Sequence, residues 1–545
     1  MEGASQHLWW QSGVIYQIYP RSFKDTSGNG IGDLKGVIEK LDYLTKTLGV
    51  DAIWLSPFYP SPMADFGYDV SNYTDVHPLF GNLEVFDDLV AQAHQRNLKI
   101  IIDLVPNHTS DQHPWFQESR ANRQNPKRDW YVWRDAKDDG RLPNNWLSVF
   151  GGPAWEWDAA TGQYYLHSFL KEQPDLNWRN PEVKDAIFAV ARFWMERGVD
   201  GFRIDVAHYI MKDPKLRDNP PNQSLGTEMH KSLGPYDSQI HLHDKGHSDV
   251  HEVYRQFRKL LDAYGEGQPR TSIGEIHIFD WPVWASYYGK NLDELHMPFN
   301  FSLLGVTWQA QAVRERVDTL ESALPMGGWP NYVLGNHDEP RLASKLGEKA
   351  ARVAAMLLLT LRGTPTLYYG DELGMRDVSI PPEKQRDPWG IRVPGLGRDP
   401  QRTPMQWDDG SNAGFSSPEV RELWLPLAEN YREVNVACQL EQPDSILNLY
   451  RSLLAYRRAN RALQVGAYHP LDDVPEDCFV YLRETTDGNQ VLMVLNFSSK
   501  AQQLHLNGLG KGNLVISTYL DRTGEVDLSS LPLRGDEGIM VELQS

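Results

Sequence analysis

The 545-residue chain is poor in the features that identify several classes of protein. It has only two cysteines, Cys438 and Cys478, which excludes a disulfide framework and a zinc site built on paired cysteines. The two can bond to each other, but two buried thiols are the preferred interpretation. No apolar run approaches the roughly 20 residues that a bilayer-spanning helix needs, so no membrane partner is expected.

Positive charge is also scarce. The chain has 54 Lys and Arg against 73 Asp and Glu, a formal charge of −19. Nucleic-acid binding requires clustered basic residues, so that class is excluded. The first ten residues have no basic stretch followed by an apolar one, so no signal peptide is expected and a cytoplasmic location is predicted. The sequence does not predict an oligomeric state.

Aromatic residues, in contrast, are plentiful: 18 Trp, 24 Tyr and 18 Phe. Many will lie in the core, but aromatic rings also pack on the C–H faces of sugars. A neutral sugar substrate is consistent with both the many aromatic residues and the net negative charge.

Short apolar runs alternate with helix-period segments over roughly the first 460 residues, which predicts a (β/α)8 TIM barrel. Helices are clearest at 84–97, 181–198 and 345–361, where apolar residues recur on one face. The candidate strands are 14–19, 52–56, 99–104, 201–206, 271–275, 294–299, 332–334 and 366–369.

Three segments interrupt or follow this alternation. Residues 108–177 lack it and are too long for a structureless loop, so they are predicted to form an inserted domain after strand 3. Residues 211–250 are predicted to cap the barrel mouth. After about residue 470, apolar and polar residues alternate, which predicts a C-terminal antiparallel β domain. The predicted boundaries are 1–107 and 178–468 for the barrel, 108–177 for the insertion and 469–545 for the β-sandwich.

Four polar motifs follow predicted strands, where a barrel places its active groups. They are DLVPNH at 103–108, GFRID at 201–205, GEIH at 274–277 and NHD at 336–338. Arg203, two residues from Asp205 on the same strand face, is expected to lower the pKa of that carboxyl, which suits a nucleophile. The apolar neighbours of Glu275 are expected to raise its pKa, which suits a general acid. The alternative is that these carboxylates only form structural ion pairs at the strand ends. The ordered occurrence of three such motifs, with Asp205, Glu275 and Asp338, favours a catalytic site instead.

This ordered set resembles family 13 glycoside hydrolases, the α-amylase superfamily, and more narrowly bacterial α-glucosidases and oligo-1,6-glucosidases. The resemblance spans nearly the whole chain and includes DFGYD at 65–69, QPDLN at 173–177 and RTPMQW at 402–407. It implies that Asp205 is the nucleophile, Glu275 the acid/base and Asp338 the stabiliser of a retaining mechanism that needs no cofactor.

The resemblance also implies a site for one terminal glucose of a short oligosaccharide or α-glucoside. The implied sugar-binding residues are Asp65, Tyr68 as a stacking platform, His108, Arg203, His337 and Arg402. Phe150 and Phe169 are candidate apolar walls, or equally local core. Asp103 is interpreted as structural, orienting Arg203 from a neighbouring strand.

The residue after the nucleophile, Val206, is similar to that of enzymes that accept α-1,6 bonds. Ala207 and His208 depart from the family's usual pairing, and His208 is a candidate contact on the aglycone side. We therefore expect an α-glucosidase acting on α-1,4 and/or α-1,6 bonds, with transglucosylation when a sugar replaces water.

Loop 25–33 is a candidate metal site. Asp25, Ser27, Asn29, the Ile31 carbonyl and Asp33 supply oxygens at alternate positions, as in the first part of a calcium loop. Relatives in the family carry a cation here, so a structural Ca²⁺ or Mg²⁺ is predicted. A tight turn capped by its own side chains is the alternative.

The sequence gives less support to other sites and functions. His241, His243, His247 and His251 lack the helical spacing of a zinc site and are interpreted as solvated loop histidines. Sucrose isomerases and trehalose-acting enzymes share the scaffold, but the segment 293–298 lacks the Arg-rich sequence typical of isomerases. Non-catalytic transporter ectodomains often lack the carboxylates, all three of which are present here.

Overall fold

The computed structural model describes residues 7–223, 231–264 and 269–543. Its largest element is a sheet of eight parallel strands that curls into a barrel. The strands are β1 (Ile15–Ile18), β2 (Ala52–Leu55), β3 (Lys99–Leu104), β4 (Gly201–Ile204), β5 (Thr271–Gly274), β6 (Met297–Pro298), β7 (Asn331–Val333) and β8 (Thr364–Tyr368). The predicted (β/α)8 architecture is confirmed.

The sheet runs from β7 through β8, β1, β2, β3, β4 and β5 to β6. A parallel bridge between Asn300 and Tyr332 joins its two ends, so the barrel closes through a single contact. The β3–β4 register sets Asp103 beside Arg203, and β4–β5 sets Arg203 beside Ile273. Residues that follow β3, β4 and β5 therefore emerge together at one rim.

Capped helices cover the outside of the barrel. The helix 181–196 starts at Asn180, whose side chain accepts from the Glu182 N–H, with Pro181 in its first turn. The predicted helix 345–361 is instead two helices that meet at Gly347, where φ is +78°. The long helices are Leu83–Gln95, Pro181–Glu196, Val250–Ala263, Ala310–Ala323, Glu348–Thr360 and Ile446–Ala459, with shorter ones at Leu34–Glu39, Trp281–Ser286 and Leu342–Leu346. Among the described residues, no helix is long and apolar enough to cross a membrane.

The segment after β3 folds into a small unit of its own. It contains the helix Pro114–Ala121 and a three-stranded antiparallel sheet, Trp133–Arg134, Trp155–Asp158 and Gln163–Leu166. Lys212, from the loop after β4, binds Asp175 at 2.8 Å and the side chain of Asn107 at 2.6 Å, which ties this unit to the barrel rim.

An antiparallel β domain follows helix 446–459, as predicted. Six of its strands form one sheet: Ala467–Pro470, Cys478–Glu484, Gln490–Asn496, Gly538–Leu543, Lys511–Ser517 and Gly524–Asp527. A two-stranded sheet, Gln502–Leu504 with Leu531–Leu533, accompanies it. The central strands are buried on both faces rather than alternating with polar residues as expected. Met493 packs into the barrel's core, whereas Val494 packs within the β domain.

Candidate active site

The carboxyl ends of the barrel strands surround a cavity of about 770 Å³. All three predicted catalytic carboxylates line it. Its walls are Asp65, Tyr68, His108, Val149, Phe150, Phe169, Gln173, Asp205, Val206, Tyr209, Lys231, Leu233, Glu275, His277, Asn336, His337, Asp338, Glu339, Trp389 and Arg398.

A single buried guanidinium organises the floor of this cavity. Arg203 contacts Asp103 at 2.7 Å, Asp205 at 2.7 Å and Glu275 at 2.6 Å. The predicted orienting contact from Asp103 is therefore present. Asp103 is fully buried and also accepts from the indole N–H of Trp54, so Arg203 is held from below by a fixed carboxylate.

Asp205 and Glu275 share the Arg203 guanidinium, so the charge of each carboxyl affects the pKa of the other. Burial and the neighbouring Glu275 raise the pKa of Asp205. Burial also acts to raise the pKa of Glu275, but Arg203 and His277 outweigh it and lower that pKa. The directions expected from the sequence are thus reversed. The physical reason is that Arg203 reaches Glu275 as well as Asp205, so it does not favour Asp205 alone.

Asp338 lies across the cavity from this pair and is held by two arginines. Arg402 Nη2 is 2.7 Å and Arg398 Nη1 is 3.2 Å from its Oδ1. Burial raises its pKa, but His337 and the two arginines outweigh that effect and hold it well below the usual range. Asp338 is therefore a fixed anion able to accept hydrogen bonds from sugar hydroxyls.

Arg398 closes one side of the cavity. Its guanidinium contacts Asp65 and Asp387 at 2.7 Å each and lies 5.1 Å from the ring centroid of Phe150. The predicted sugar ligand Arg402 instead lies beneath the cavity, fully buried, and also donates to the His337 carbonyl. Sequence reasoning chose Arg402 and missed Arg398, although both lie in the same segment.

Two neutral histidines complete the polar side of the cavity. Burial lowers the pKa of His108 to about 4 and that of His337 to about 3. His337 contacts Tyr68 Oη at 2.8 Å, and His108 contacts the Gln173 amide at 3.1 Å. Gln173 also donates to Asp65, which explains structurally why the QPDLN segment belongs to the site.

Aromatic and aliphatic side chains cover the outer part of the cavity. Phe150 contacts Phe169 and Trp389, and these belong to one apolar cluster with Val206, Tyr209 and Leu233. Both phenylalanines therefore are cavity walls and local core at the same time. Leu233 and its neighbour Lys231 come from the predicted capping loop; residues 224–230 of that loop lie outside the described part of the chain.

Val206 has an unusual backbone for a β-branched residue, with φ at +36°. This conformation directs its N–H to Glu275 Oε2, 2.9 Å away, while its side chain lines the cavity. The expectation for His208 is wrong: it is fully buried outside the cavity lining, where Nδ1 contacts the Glu275 carbonyl at 3.3 Å.

Of the predicted catalytic and sugar-binding residues, ten line the cavity and two, Arg203 and Arg402, support it from below. The lining residues that sequence reasoning missed are Val149, Gln173, Tyr209, Lys231, Leu233, His277, Asn336, Glu339, Trp389 and Arg398. Three of them, Gln173, His277 and Asn336, lie inside the quoted motifs, and for His277 and Asn336 the nearby catalytic carboxylate was the available signal. Lys231 and Trp389 come from long loops without any such signal.

The predicted metal loop closes on its own donors. Asp25 accepts from the N–H groups of Ser27, Gly28 and Gly30 and from the Ser416 hydroxyl. Asp33 accepts from Thr26, Ser27 and Gly36, and Asn29 Oδ1 accepts from the Ile31 N–H. Within residues 7–223, 231–264 and 269–543 no three His, Cys, Asp or Glu side chains gather as metal ligands. With both carboxylates already engaged, these residues do not fit a cation site well.

The four loop histidines bind separate carboxylates rather than one another. His241 contacts Asp244 at 2.6 Å and His251 contacts Glu294 at 2.8 Å. His241 is buried against the Tyr236 ring, so its interpretation as a solvated residue is wrong. The cysteines are unpaired: Cys478 is buried, whereas Cys438 is only partly so.

Known proteins similar to this chain include α-glucosidases and an oligo-1,6-glucosidase. A family model for the alpha amylase catalytic domain matches residues 17–466. The probable alpha-glucosidase of Rhizobium meliloti is 45% identical over 470 residues, covering 84% of both chains. The oligo-1,6-glucosidase of Parageobacillus thermoglucosidasius is 39% identical over 540 residues, covering 92% of both.

Other similar proteins differ in their described roles. The human amino acid transporter heavy chain SLC3A1 is 39% identical over 549 residues, which cover 98% of this chain and 78% of that protein. Among solved structures, the alpha-glucosyl transfer enzyme XgtA is 42% identical with a TM-score of 0.93, covering 99% of this chain and all of that one. The isomaltulose synthase of Protaminobacter rubrum is 34% identical with a TM-score of 0.89 and the same coverage.

Proposed function

The chain belongs to the alpha-amylase family of glycoside hydrolases, family 13, and from that premise we propose that it is a retaining α-glucosidase. It removes terminal, non-reducing α-glucosyl residues from short oligosaccharides with α-1,4 and/or α-1,6 bonds. The observation that carries the proposal is the joint placement of Asp205 and Glu275 on one guanidinium, opposite Asp338, in a single cavity. The reaction needs no cofactor.

The shape of the cavity supports action at a chain end. The ion pair between Asp65 and Arg398 is buried and bonded further to Asp387 and Asp338, so it walls the sugar side. One terminal glucose fits between this wall and the carboxylate pair, with Tyr68, His108 and His337 beside it. The aglycone then points toward the apolar wall formed by Phe150, Val206 and Trp389.

The mechanism follows from two carboxyl groups bound to one guanidinium. A retaining glycosidase places them about 5–5.5 Å apart when a sugar lies between them. Glu275 protonates the glycosidic oxygen while Asp205 attacks the anomeric carbon, so the C–O bond breaks as the glucosyl–Asp205 ester forms. Glu275, now a carboxylate, takes a proton from water, whose oxygen displaces Asp205 and restores the α configuration. Asp338 and Arg203 stabilise the charges in both steps.

Linkage preference is assigned to the residue that follows the nucleophile. Val206 presents a branched apolar side chain to the aglycone side, and we propose that isomaltose-type α-1,6 substrates are accepted alongside α-1,4 ones. The apolar wall favours a second sugar over water as the acceptor, so transglucosylation is part of the proposal.

Two alternatives use the same fold. A sucrose-isomerising or glucosyl-transferring activity is favoured by the similarity to isomaltulose synthase and to XgtA. The similarity to transporter heavy chains suggests a non-catalytic role as the second alternative. That role is disfavoured because every predicted catalytic carboxylate lines the cavity. The predicted cytoplasmic location and the structural Ca²⁺ or Mg²⁺ remain predictions, and the hydrogen bonds of loop 25–33 weigh against the cation.

The test measures glucose release from maltose, isomaltose, sucrose and p-nitrophenyl α-glucoside, with the anomer of the first product identified by NMR. We expect α-glucose from maltose and isomaltose at comparable rates. Asp205→Ala and Glu275→Gln should each lower kcat by at least ~10³-fold while the circular dichroism spectrum stays unchanged, because each removes one half of the mechanism.

Arg197→Lys, at a surface ion pair with Asp87, provides the inert control. Full activity in either carboxylate variant contradicts the assigned roles. Trehalulose or isomaltulose as the main product from sucrose identifies an isomerase instead, and a maltose rate vastly above that of isomaltose contradicts the assignment of Val206.

A further inference from the structure

The two oxygens of the Glu275 carboxyl have different partners. Oε2 accepts from Arg203 Nη2 at 2.6 Å and from the Val206 N–H at 2.9 Å. Both donors are permanent, because a guanidinium and a backbone amide keep their protons at every pH of interest. A proton on Oε2 would point at a donor, so when Glu275 carries the catalytic proton, that proton is on Oε1.

Oε1 is held by His277. The ring Nε2 lies 2.8 Å from Oε1, and the His277 side chain lines the same cavity. Imidazole differs from the donors on Oε2 because its nitrogen either donates or accepts, according to its tautomer and charge. His277 can therefore donate to the Glu275 carboxylate and accept from the Glu275 acid without moving.

The ring cannot easily turn away from this position. It stacks on Phe301 with centroids 4.4 Å apart and planes 15° from parallel, and Phe301 stacks in turn on Phe299. Among the described residues, the ionisable groups near it include His208, whose ring centroid is 6.2 Å away, and the Asp205–Arg203 pair beyond Glu275. The stack thus fixes which Glu275 oxygen the imidazole meets.

We propose that His277 is a positioning residue for the acid/base: it confines the catalytic proton to Glu275 Oε1 and sets the pH range over which that proton is available. This role rests on the proposed glucosidase function and deepens it. The contact that carries this role is the one between His277 Nε2 and the Glu275 carboxyl group, so the residue acts through Glu275.

The direction of the pH effect follows from the hydrogen bond. A donor to the carboxylate stabilises the ionised form, so His277 lowers the pH at which the Asp205–Glu275 pair loses its last proton. The alkaline limb of the pH–rate profile reports this loss, because Glu275 must be protonated to assist the leaving group. Removing the donor should therefore move the alkaline limb to higher pH.

The experiment compares His277→Phe, which can keep the stack on Phe301 but has no ring nitrogen, with His277→Gln, whose amide donates but does not ionise. kcat/KM is measured from pH 4 to 10 on maltose, whose leaving group needs a proton, and on p-nitrophenyl α-glucoside, whose leaving group needs little help. For His277→Phe we expect kcat/KM to fall about 100-fold on maltose and less than about 10-fold on the nitrophenyl substrate. We also expect the alkaline limb to move to higher pH by roughly one unit. His277→Gln should return the limb to within about half a unit of the wild type.

Phe301→Leu serves as a control that disturbs the stack but retains the imidazole, and its alkaline limb should stay in place. Equal losses of His277→Phe on both substrates, with an unmoved limb, would show that His277 is only structural and overturn the inference. A wild-type protein that cleaves no α-glucoside would refute the glucosidase proposal itself, a result distinguishable from either outcome in the variants.

Discussion

At the scale of single residues, Arg398 shows how a buried cation can define what a cavity accepts. It is almost fully buried and contacts three carboxylates, Asp65, Asp387 and Asp338, with only one guanidinium. Its fork geometry allows these contacts at once, which a lysine ammonium cannot reproduce. Arg398 thereby offsets part of the negative charge on the sugar side of the cavity.

Replacing Arg398 with Lys should therefore damage activity although the charge is kept. Breaking a buried, hydrogen-bonded ion pair costs about 3–5 kcal/mol; if the transition-state complex bears that cost, about 1.4 kcal/mol per factor of ten gives roughly a 100- to 4000-fold loss of kcat/KM on maltose. Steady-state kinetics with maltose measures it, and Arg96→Lys at a more exposed ion pair with Asp42 is the matched control. Activity within threefold of the wild type would show that the guanidinium fork is unnecessary.

Residue identity could be predicted from sequence where a motif marks the position, as for Asp205, Glu275 and Asp338. Electrostatic roles could not. The spacing of Arg203 and Asp205 correctly indicates contact, but the same guanidinium also reaches Glu275 from the neighbouring strand. That second contact depends on barrel curvature, which no local pattern encodes, and it reverses the expected pKa directions.

At the scale of elements, loop 25–33 is stabilised by its own hydrogen bonds. Burial acts to raise the pKa of Asp25, but donors from Ser416, Gly30, Gly28 and Ser27 outweigh it and lower that pKa. Since this carboxylate is already stabilised as an anion by protein donors, a cation adds little to the fold.

The prediction is that chelation changes the thermal midpoint by less than about 2 °C. Calorimetry with EDTA and with millimolar CaCl₂ measures this, because a ligand that binds only the folded state raises the midpoint. Asp25→Asn should lower the midpoint by a few degrees under both conditions, since it weakens charge-assisted hydrogen bonds. A CaCl₂-dependent rise above about 5 °C that Asp25→Asn abolishes would establish the cation site.

Elements themselves were largely predictable because parallel barrel strands are continuous apolar runs. β3 and β4 begin at the predicted residues, Lys99 and Gly201. The break in the predicted helix 345–361 was not predictable, because Gly347 lies between two helical patterns that share an apolar face. Only its positive φ shows the break.

At the scale of the whole molecule, the β domain and the barrel share a core. Along the strand Gln490–Asn496, Val491, Met493 and Leu495 pack with the barrel cluster, whereas Leu492 and Val494 pack within the β domain. Hydrogen bonds cross the same boundary: Tyr481 Oη meets Thr360 Oγ1 at 2.6 Å, and Arg352 donates to the Thr518 carbonyl at 2.7 Å. Because side chains alternate along a strand, one sheet contributes to both cores.

A sheet with one face in each core should unfold together with the barrel. Met493→Ala and Val494→Ala shorten adjacent side chains that are both fully buried but face opposite cores. The cost is about 2–5 kcal/mol for Met493→Ala and smaller for Val494→Ala, which removes fewer buried carbons. We expect each variant to show a single calorimetric transition at a lower temperature, and activity on p-nitrophenyl α-glucoside to be lost at that same transition. If Val494→Ala instead shows an early transition that leaves activity intact, the β domain unfolds independently. The shared core would then be a contact surface rather than a cooperative unit.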